Sequence, residues 1–354
     1  MEHEPASRPL TVLESFGPPH GRTNPYLVQL FASFPDPVHA QYFSWGRALR
    51  GDYDVFHVHW PEVLVRGSDR LRTTFRCVVF LLTLIRIRVT RRALVRTLHN
   101  RQPHERPDPV QRALIRLCDR WTTGWIVLNR ETPPPTTAPA TLAPIGHYRE
   151  WFDTGTEDTG DDPTSVRGRL VHFGLVRRYK GIDVLLRAVA GLDDPEVTLH
   201  VIGSTTDEEL AAQLRAAQAG DARITWFDEY VPDPVLRAEV LAAELVVLPF
   251  SDITNSSSLV LALSLDRPVL VPRAGATSEI AEEVGPGWVH LYDGALTPQL
   301  LADTLGALRA TPPASPPDLT RRDWDHVGAL HAAAFEQACD VVGRRADGTA
   351  ATHL

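Results

Sequence analysis

The sequence predicts an α/β protein of two doubly wound, Rossmann-like halves, and three observations carry that reading. Short apolar, β-branched runs alternate with helix-length segments along most of the chain, the pattern of βα units that pair into parallel sheets. Several of these runs hold almost no polar residue, as expected where helices cover both faces of a sheet. Between the two sets lies DTGTEDTGDDPTS at 153–165, acidic, rich in Gly and Thr and nearly devoid of apolar side chains, which reads as an exposed connector. A length of 354 residues fits two domains of ordinary size. The expected layout is a first domain at 1–152, a linker at 153–166, a second domain at 167–312, and a closing helix and tail at 313–354.

In the first half the expected strands are Leu10–Ser15, Val55–Trp60, Leu94–Leu98, Trp125–Leu128 and Leu142–Ile145. A helix is expected over Val110–Trp121, where Val110, Ala113, Leu114 and Leu117 share a face. In the second half the expected strands are Leu170–Phe173, Val197–Ile202, Ile224–Phe227, Leu245–Pro249, Val269–Val271 and Val289–Leu291. Helices are expected between them at Ile182–Leu192, Asp207–Ala219, Asp233–Ala243, Ser256–Leu265 and Glu279–Val284. After the Pro-rich Thr311–Pro317, a last helix from about Arg321 to Gly343 is long enough to pack back across the first domain.

At 43% hydrophobic and 23% charged, the chain has the balance of a globular protein, which sets aside disordered and coiled-coil classes. Cys77, Cys118 and Cys339 are too few and too scattered for a disulfide framework or a zinc site, so a reducing cytoplasm is expected. The opening MEHEPASRPL has no apolar core, so no signal peptide is expected. The longest apolar run, Cys77–Ile85, spans 9 residues, whereas a membrane span takes roughly 20.

Charge is uneven. The net charge is −8, yet Arg66–Arg120 holds 14 Arg against Asp69, Glu105, Asp108 and Asp119. Apolar and Arg residues interleave from Arg70 to Arg96, which suits a helix lying on an anionic bilayer, peripheral to the inner face of the cell membrane. A solvated basic face is the competing reading. Nucleic acid is not an expected partner, because the whole chain is acidic and has no reader motif. Among 36 basic residues Lys180 is the only lysine, which hints at a task that a compact ammonium fits and a guanidinium does not.

The turn after the first strand lacks G-x-G-x-x-G and no Walker A motif occurs, so dehydrogenase and P-loop readings fall away. Polar residues instead gather at the carboxyl ends of strands, where open α/β sheets bind ligands. In the first half these are Asn24, Pro25 and Tyr26; His59, Trp60 and Glu62; His99, Asn100 and His104; and Gly146, His147 and Tyr148. The second half supplies Gly174, Arg177 and Lys180 in HFGLVRRYKGID, then Gly203 and Ser204, Asn255, Ser256, Ser257 and Ser258, and Glu279 after Gly275. Backbone N–H groups at a helix start, one Lys and one Arg are what a departing diphosphate needs. Glu279 reads either as a ligand for ribose hydroxyls or as a helix acid.

FGLVRRYKGIDVLLRA, the strand ending in Gly-Ser, and PVLVPRAGATSEI resemble the C-terminal half of GT-B glycosyltransferases of the GT4-like group. TLHNRQPHERPD and PIGHYREWF resemble the first half of bacterial members that act in exopolysaccharide or glycolipid assembly. The resemblance covers roughly Leu10 to Leu308. It implies two Rossmann-like domains facing a cleft. The second domain would bind a nucleotide diphosphate sugar (UDP- or GDP-linked, with GDP-mannose favoured by resemblance), and the first a saccharide or lipid-linked acceptor. By position it implies that Arg177 and Lys180 grip the diphosphate, that His99 sits against the donor sugar, and that Glu279 is the acid after the Gly-rich turn. The Glu-x7-Glu pair of that group falls on Ile253 and Leu261, neither of them acidic, so Ser256–Ser258 and Asp252 would have to replace those contacts.

The expected catalytic set is His99, Arg177, Lys180, His59 and His104, and the donor set is Gly174, Gly203, Ser204, Asn255, Ser256, Ser257, Ser258 and Glu279. Asn24, Tyr26, Trp60, Glu62 and His147 are expected on the acceptor side. A histidine is the expected base if the reaction inverts, with Glu62 its rival. His57 is placed on the face of its strand opposite His59. No carboxylate or third histidine falls at ligand spacing near His57 and His59, so neither metal nor other cofactor is expected. A non-catalytic nucleotide-sugar-binding subunit and a sugar-nucleotide epimerase are the competing functions.

Overall fold

A computed structural model describes residues 9–21, 23–99, 107–153, 164–251 and 255–350, with side chains described as far as Gly343. The chain divides into two compact units, one formed by 1–146 with 322–354, the other by 147–321.

The first unit runs β1 (Leu10–Glu14), α1 (Pro25–Ala32), β2 (Val38–Gln41), α2 (Trp45–Arg50), β3 (Val55–Val58), α3 (Pro61–Val65), α4 (Arg70–Val89), β4 (Ala93–Leu98), α5 (Pro109–Trp121), β5 (Gly124–Val127) and β6 (Ala140–Leu142). Its six strands are parallel in the order β2-β1-β3-β4-β5-β6. Local chemistry sets the helix starts. The Asn24 side chain caps α1 ahead of Pro25, Asp69 caps α4, and Asp108 with Gln111 forms a capping box on α5. One sheet face packs Phe56 and Val58 against Phe80 and Leu84 of α4. The other packs Val12, Val95 and Ile126 against Phe335 and Ala338 of the chain's last helix.

The second unit opens with α6 (Arg149–Asp153) and continues β7 (Arg169–Phe173), α7 (Ile182–Ala190), β8 (Thr198–Ile202), α8 (Glu208–Gly220), β9 (Ile224–Phe227), α9 (Asp233–Leu241), β10 (Leu245–Val247), α10 (Ser257–Ser264), β11 (Val269–Pro272), α11 (Gly275–Val284), β12 (Val289–Tyr292) and α12 (Pro298–Ala310). Its strands are also parallel, ordered β12-β11-β10-β7-β8-β9. The last helix, α13 (Trp324–Ala350), belongs to the first unit. Gly328 admits it there, since a Cβ at that position would run into the Ser33 carbonyl, and Ala338 sits over Gly124 of β5.

The α/β reading stands, and the element-level differences have local causes. Val38–Gln41 is a strand that the pattern did not reveal, a short edge strand with only Val38 buried. The strand expected at Val55–Trp60 ends at Val58 because Pro61 opens α3. The strand expected at Leu142–Ile145 lies earlier, at Ala140–Leu142. α11 begins at Gly275 rather than Glu279, since Thr277 folds its hydroxyl back to the Ala274 N–H and closes the first turn. α12 was not among the expected helices. The interleaved stretch Arg70–Arg96 is not one helix: α4 stops at Val89, and Arg96 lies in β4, buried in an ion pair with Asp119 and over the Trp125 ring. Most of the expected linker, 154–163, lies outside the described residues.

Candidate active site

In the second unit, β7 lies between β8, the next strand in sequence, and β10, so the strand order reverses beside it. Ligands bind at such a point, beyond the carboxyl ends of the strands. β7 runs into Gly174, whose φ of 95° is a left-handed conformation that suits glycine. A Cβ there would stand 2.9 Å from Lys180 Nζ and 3.6 Å from Ser258 Oγ, so the β7 turn, the lysine and the start of α10 converge on one point. Gly203, with φ 137°, lies so close that a Cβ would strike the Gly174 carbonyl.

Lys180 is 8% exposed and its Nζ lies 5.4 Å from the centre of the Phe250 ring. Burial, and then the nearby Arg177 guanidinium, bring the ammonium down to about 8. The ammonium in turn adds to the burial of His172, which falls to about 3. Among the described residues neither Lys180 nor Arg177 has a carboxylate partner, whereas Arg178 is spent on Asp207 and Glu209. Two adjacent cations, one of them buried and neither with a carboxylate partner among the described residues, have the chemistry that suits an anion.

In the first unit the corresponding reversal lies between β1 and β3. Here Glu14, at the end of β1 and wholly buried, meets two histidines. His57 Nδ1 is 3.0 Å from Oε1 and His59 Nε2 is 3.1 Å from Oε2. Burial pushes the Glu14 carboxyl up, but the two imidazoles outweigh it and hold it at about 2. Burial, then His57, bring His59 down to about 4 despite Glu14. His59 Nδ1 is 2.9 Å from His99 Nε2, and His57 Nε2 is 2.8 Å from Thr97 Oγ1. His99 is held well below its ordinary value by burial and by the neighbouring His59 and His57. Trp60 stacks on the His99 ring at 4.2 Å and Tyr26 meets it edge-on at 5.5 Å. Beside them Phe16, Phe43, Trp45, Trp60, Val63 and Arg76 line an apolar cavity of about 330 Å³.

This cluster corrects two expectations. His57 and His59 do not point to opposite faces: residues two apart on a strand share a face, and both grip one carboxylate. The carboxylate that was missing at ligand spacing comes from β1, with ligand atoms of Glu14, His57 and His59 within 4.8 Å of one another. Hydrogen bonds among these atoms account for the packing of the three side chains. Glu14 was absent from the expected site, although an acid inside the apolar run Leu10–Ser15 is a signal, since a buried carboxylate needs partners.

The other expected residues fall as follows. Tyr26 is buried against His59 and His99, Asn24 is an exposed helix cap, and Glu62 sits in the first turn of α3 with its carboxyl raised by burial. His147 is buried and belongs to the second unit, whereas the other expected acceptor residues belong to the first; the N–H of the adjoining Tyr148 donates to Ser264 Oγ. Ser256 Oγ caps α10 by accepting from the Leu259 N–H, leaving Ser257 and Ser258 on its first turn. The Ser204 carbonyl accepts from the Val176 N–H. Asn255 is half-buried before α10, and Glu279 lies in the second turn of α11. Leu261, at one position of the missing acid pair, is half-buried on α10. Asn100, His104, Asp252 and Ile253 lie outside the described residues.

The profile of the glycosyl transferases group 1 family matches residues 167–308. Two proteins of Xanthomonas campestris pv. campestris, both called GDP-mannose:glycolipid 4-beta-D-mannosyltransferase, are 44% and 43% identical over 331 residues, 93% of this chain and 93% of theirs. The chain belongs to the group 1, GT4-like glycosyltransferases. Among solved structures, this glycosyltransferase resembles Anabaena HepE in complex with UDP and glucose, at TM-score 0.60 and 14% identity over 97% of this chain and 100% of that one. It also resembles the sucrose-phosphate synthase of Thermosynechococcus elongatus, at TM-score 0.56 and 14% identity over 98% and 100%. At such identities the likeness shows the GT-B fold.

Proposed function

We propose that this glycosyltransferase moves mannose from GDP-mannose to a hydroxyl of a lipid-linked saccharide, without a metal ion, at an anionic membrane surface. The observation that carries the donor half is Lys180, a buried ammonium beside Arg177 with no carboxylate partner among the described residues, set against Gly174 and Ser258. These groups stabilise the negative charge that builds on the diphosphate as the C1–O bond breaks, the work a divalent cation does elsewhere. Ser257 and Ser258 at the start of α10 add hydroxyls and N–H groups beside them. Gly203 and Ser204 line the same turn, and Glu279 and Asn255 are assigned to the nucleoside. The names of the two Xanthomonas relatives support mannose, GDP and a glycolipid acceptor.

The first unit is assigned the acceptor. A β linkage made from an α-linked nucleotide mannose inverts C1, and inversion calls for a base that takes the acceptor hydroxyl's proton. His99 is that base. Its neighbours His59 and Tyr26 are buried behind it, and Trp60 gives a flat face on which a sugar can stack. Leu261 stands where the group has an acid, a departure that agrees with inversion. The apolar cavity beside Trp60 suits the hydrocarbon-proximal part of the acceptor.

No helix among the described residues is long and apolar enough to cross a membrane. Peripheral contact is supported by α4, whose exposed face carries Leu71, Phe75, Val78, Leu82, Ile85 and Val89 at helical spacing, with exposed Arg70, Arg72, Arg86 and Arg88 and no acid. Calorimetry with GDP and UDP, followed by transfer assays from GDP-mannose to a lipid-linked saccharide, tests the proposal. Tighter binding of GDP and a β-mannosyl product formed in EDTA are expected. Tighter UDP binding, or binding without transfer, would refute it.

A further inference from the structure

We propose that Glu14 is a positioning residue for the transfer step, acting through His59 to fix which nitrogen His99 presents to the acceptor hydroxyl. The inference rests on the reading of His99 as the base. An ionised carboxylate is an acceptor only, so both histidines that touch Glu14 must meet it with N–H groups. His59 is neutral at pH 7 and owns one ring proton. Glu14 claims that proton at Nε2, which leaves Nδ1 as a lone pair. The group facing this lone pair is His99 Nε2, at 2.9 Å, so it must be the donor. Neutral His99 then has its lone pair on Nδ1. A carboxylate on β1 thus sets the tautomer of a half-buried histidine after β4 through one intervening ring.

The step balances without a further reactant. The acceptor O–H bond breaks and an Nδ1–H bond forms on His99, while the acceptor oxygen bonds C1 and the electron pair of the C1–O bond leaves on the diphosphate. The positive charge is shared by His99 and His59 through their hydrogen bond, and Glu14 stays ionised and balances it. Among the described residues, other groups facing the pair are His57 from β3, Tyr26 from α1, Arg96 from β4 and His331 from α13. The Nδ1 of His331 lies 2.8 Å from the Val327 carbonyl. Of all these groups only Glu14 is an acid.

Two measurements on the full-length protein test this. With ¹⁵N-labelled histidine, two-bond ¹H–¹⁵N correlation at pH 7 should show His59 and His99 both as Nε2–H tautomers. A Nδ1–H form of His99, or zinc bound to the cluster in the purified protein, would overturn the proposal. Glu14→Gln keeps the shape and removes the charge. A fall in kcat of about 10²-fold or more is expected, with KM for GDP-mannose unchanged, the acidic limb of the pH–rate profile moved to lower pH, and partial recovery in Glu14→Asp. A folded Glu14→Gln enzyme with the parental kcat and pH profile would overturn it. Should that variant not fold, the tautomer measurement still decides. If His99→Ala itself retains full activity, the reading of His99 as base fails, a separate outcome.

Discussion

Keeping an ammonium under the surface at Lys180 costs the apo protein on the order of 3 kcal/mol, the free energy of bringing it from its ordinary value to about 8. The sign follows from proton binding. Between about pH 8 and 10.5 the unfolded chain holds the proton that the folded chain has lost, so stability rises with pH across that window, and below it the full cost is present. Lys180→Met should therefore raise the apo Tm at pH 7 while abolishing both transfer and the rise in Tm that GDP gives the parent. A variant that loses stability and still responds to GDP would remove Lys180 from the anion site. Gly203→Ala places a methyl against the Gly174 carbonyl at a φ that side chains avoid. It should cost about 1–3 kcal/mol in a denaturant titration and weaken GDP binding with it. The residues proposed for the donor stood out in the sequence because they follow apolar strands in loops and because one lysine stands out among arginines. Glu14 was not. A residue inside a strand reads as core, and only the sheet order shows that β1 and β3 are neighbours at the reversal.

At the scale of single elements, α4 buries Phe80, Leu84 and Ile87 against the sheet and leaves an apolar stripe outside, with Leu71 85% and Phe75 61% exposed. A helix that is apolar on two sides and carries four exposed arginines has the makeup of one that settles into an anionic interface. Phe75→Ser with Leu82→Ser should leave the Tm nearly unchanged, because both positions are exposed. Binding to phosphatidylglycerol vesicles in co-sedimentation should weaken about a hundredfold or more. Equal sedimentation with phosphatidylcholine would show that lipid charge plays no part. The sequence revealed the strands with long apolar runs and the strongly periodic helices. It hid β2, a half-exposed edge strand. It also concealed where the basic stretch turns inward, since Arg96 looks like its neighbours in composition and only the packing of Asp119 and Trp125 around it shows a buried ion pair.

Taken as a whole molecule, the two units differ in how the chain builds them. The second is continuous, 147–321, and has its own core of Leu170, Leu199, Leu245 and Leu270 around β7. Expressed alone, it should fold and bind GDP with the affinity of the full enzyme, while showing no transfer, as calorimetry and a transfer assay would show. The first unit is discontinuous. Deleting 322–354 uncovers Val95, Ile126 and Ala143, which Phe335 and Ala338 otherwise cover. Residues 1–321 should then unfold in two separate transitions, the first unit at lower denaturant.

That discontinuity bears on synthesis. The lobe begun first lacks one wall until α13 has been made and has cleared the ribosome. The lobe made second can close on itself while translation continues. Nascent chains will hold a folded second unit while the sheet of the first is still open on one face, and chaperones will find their substrate in the half that was begun first.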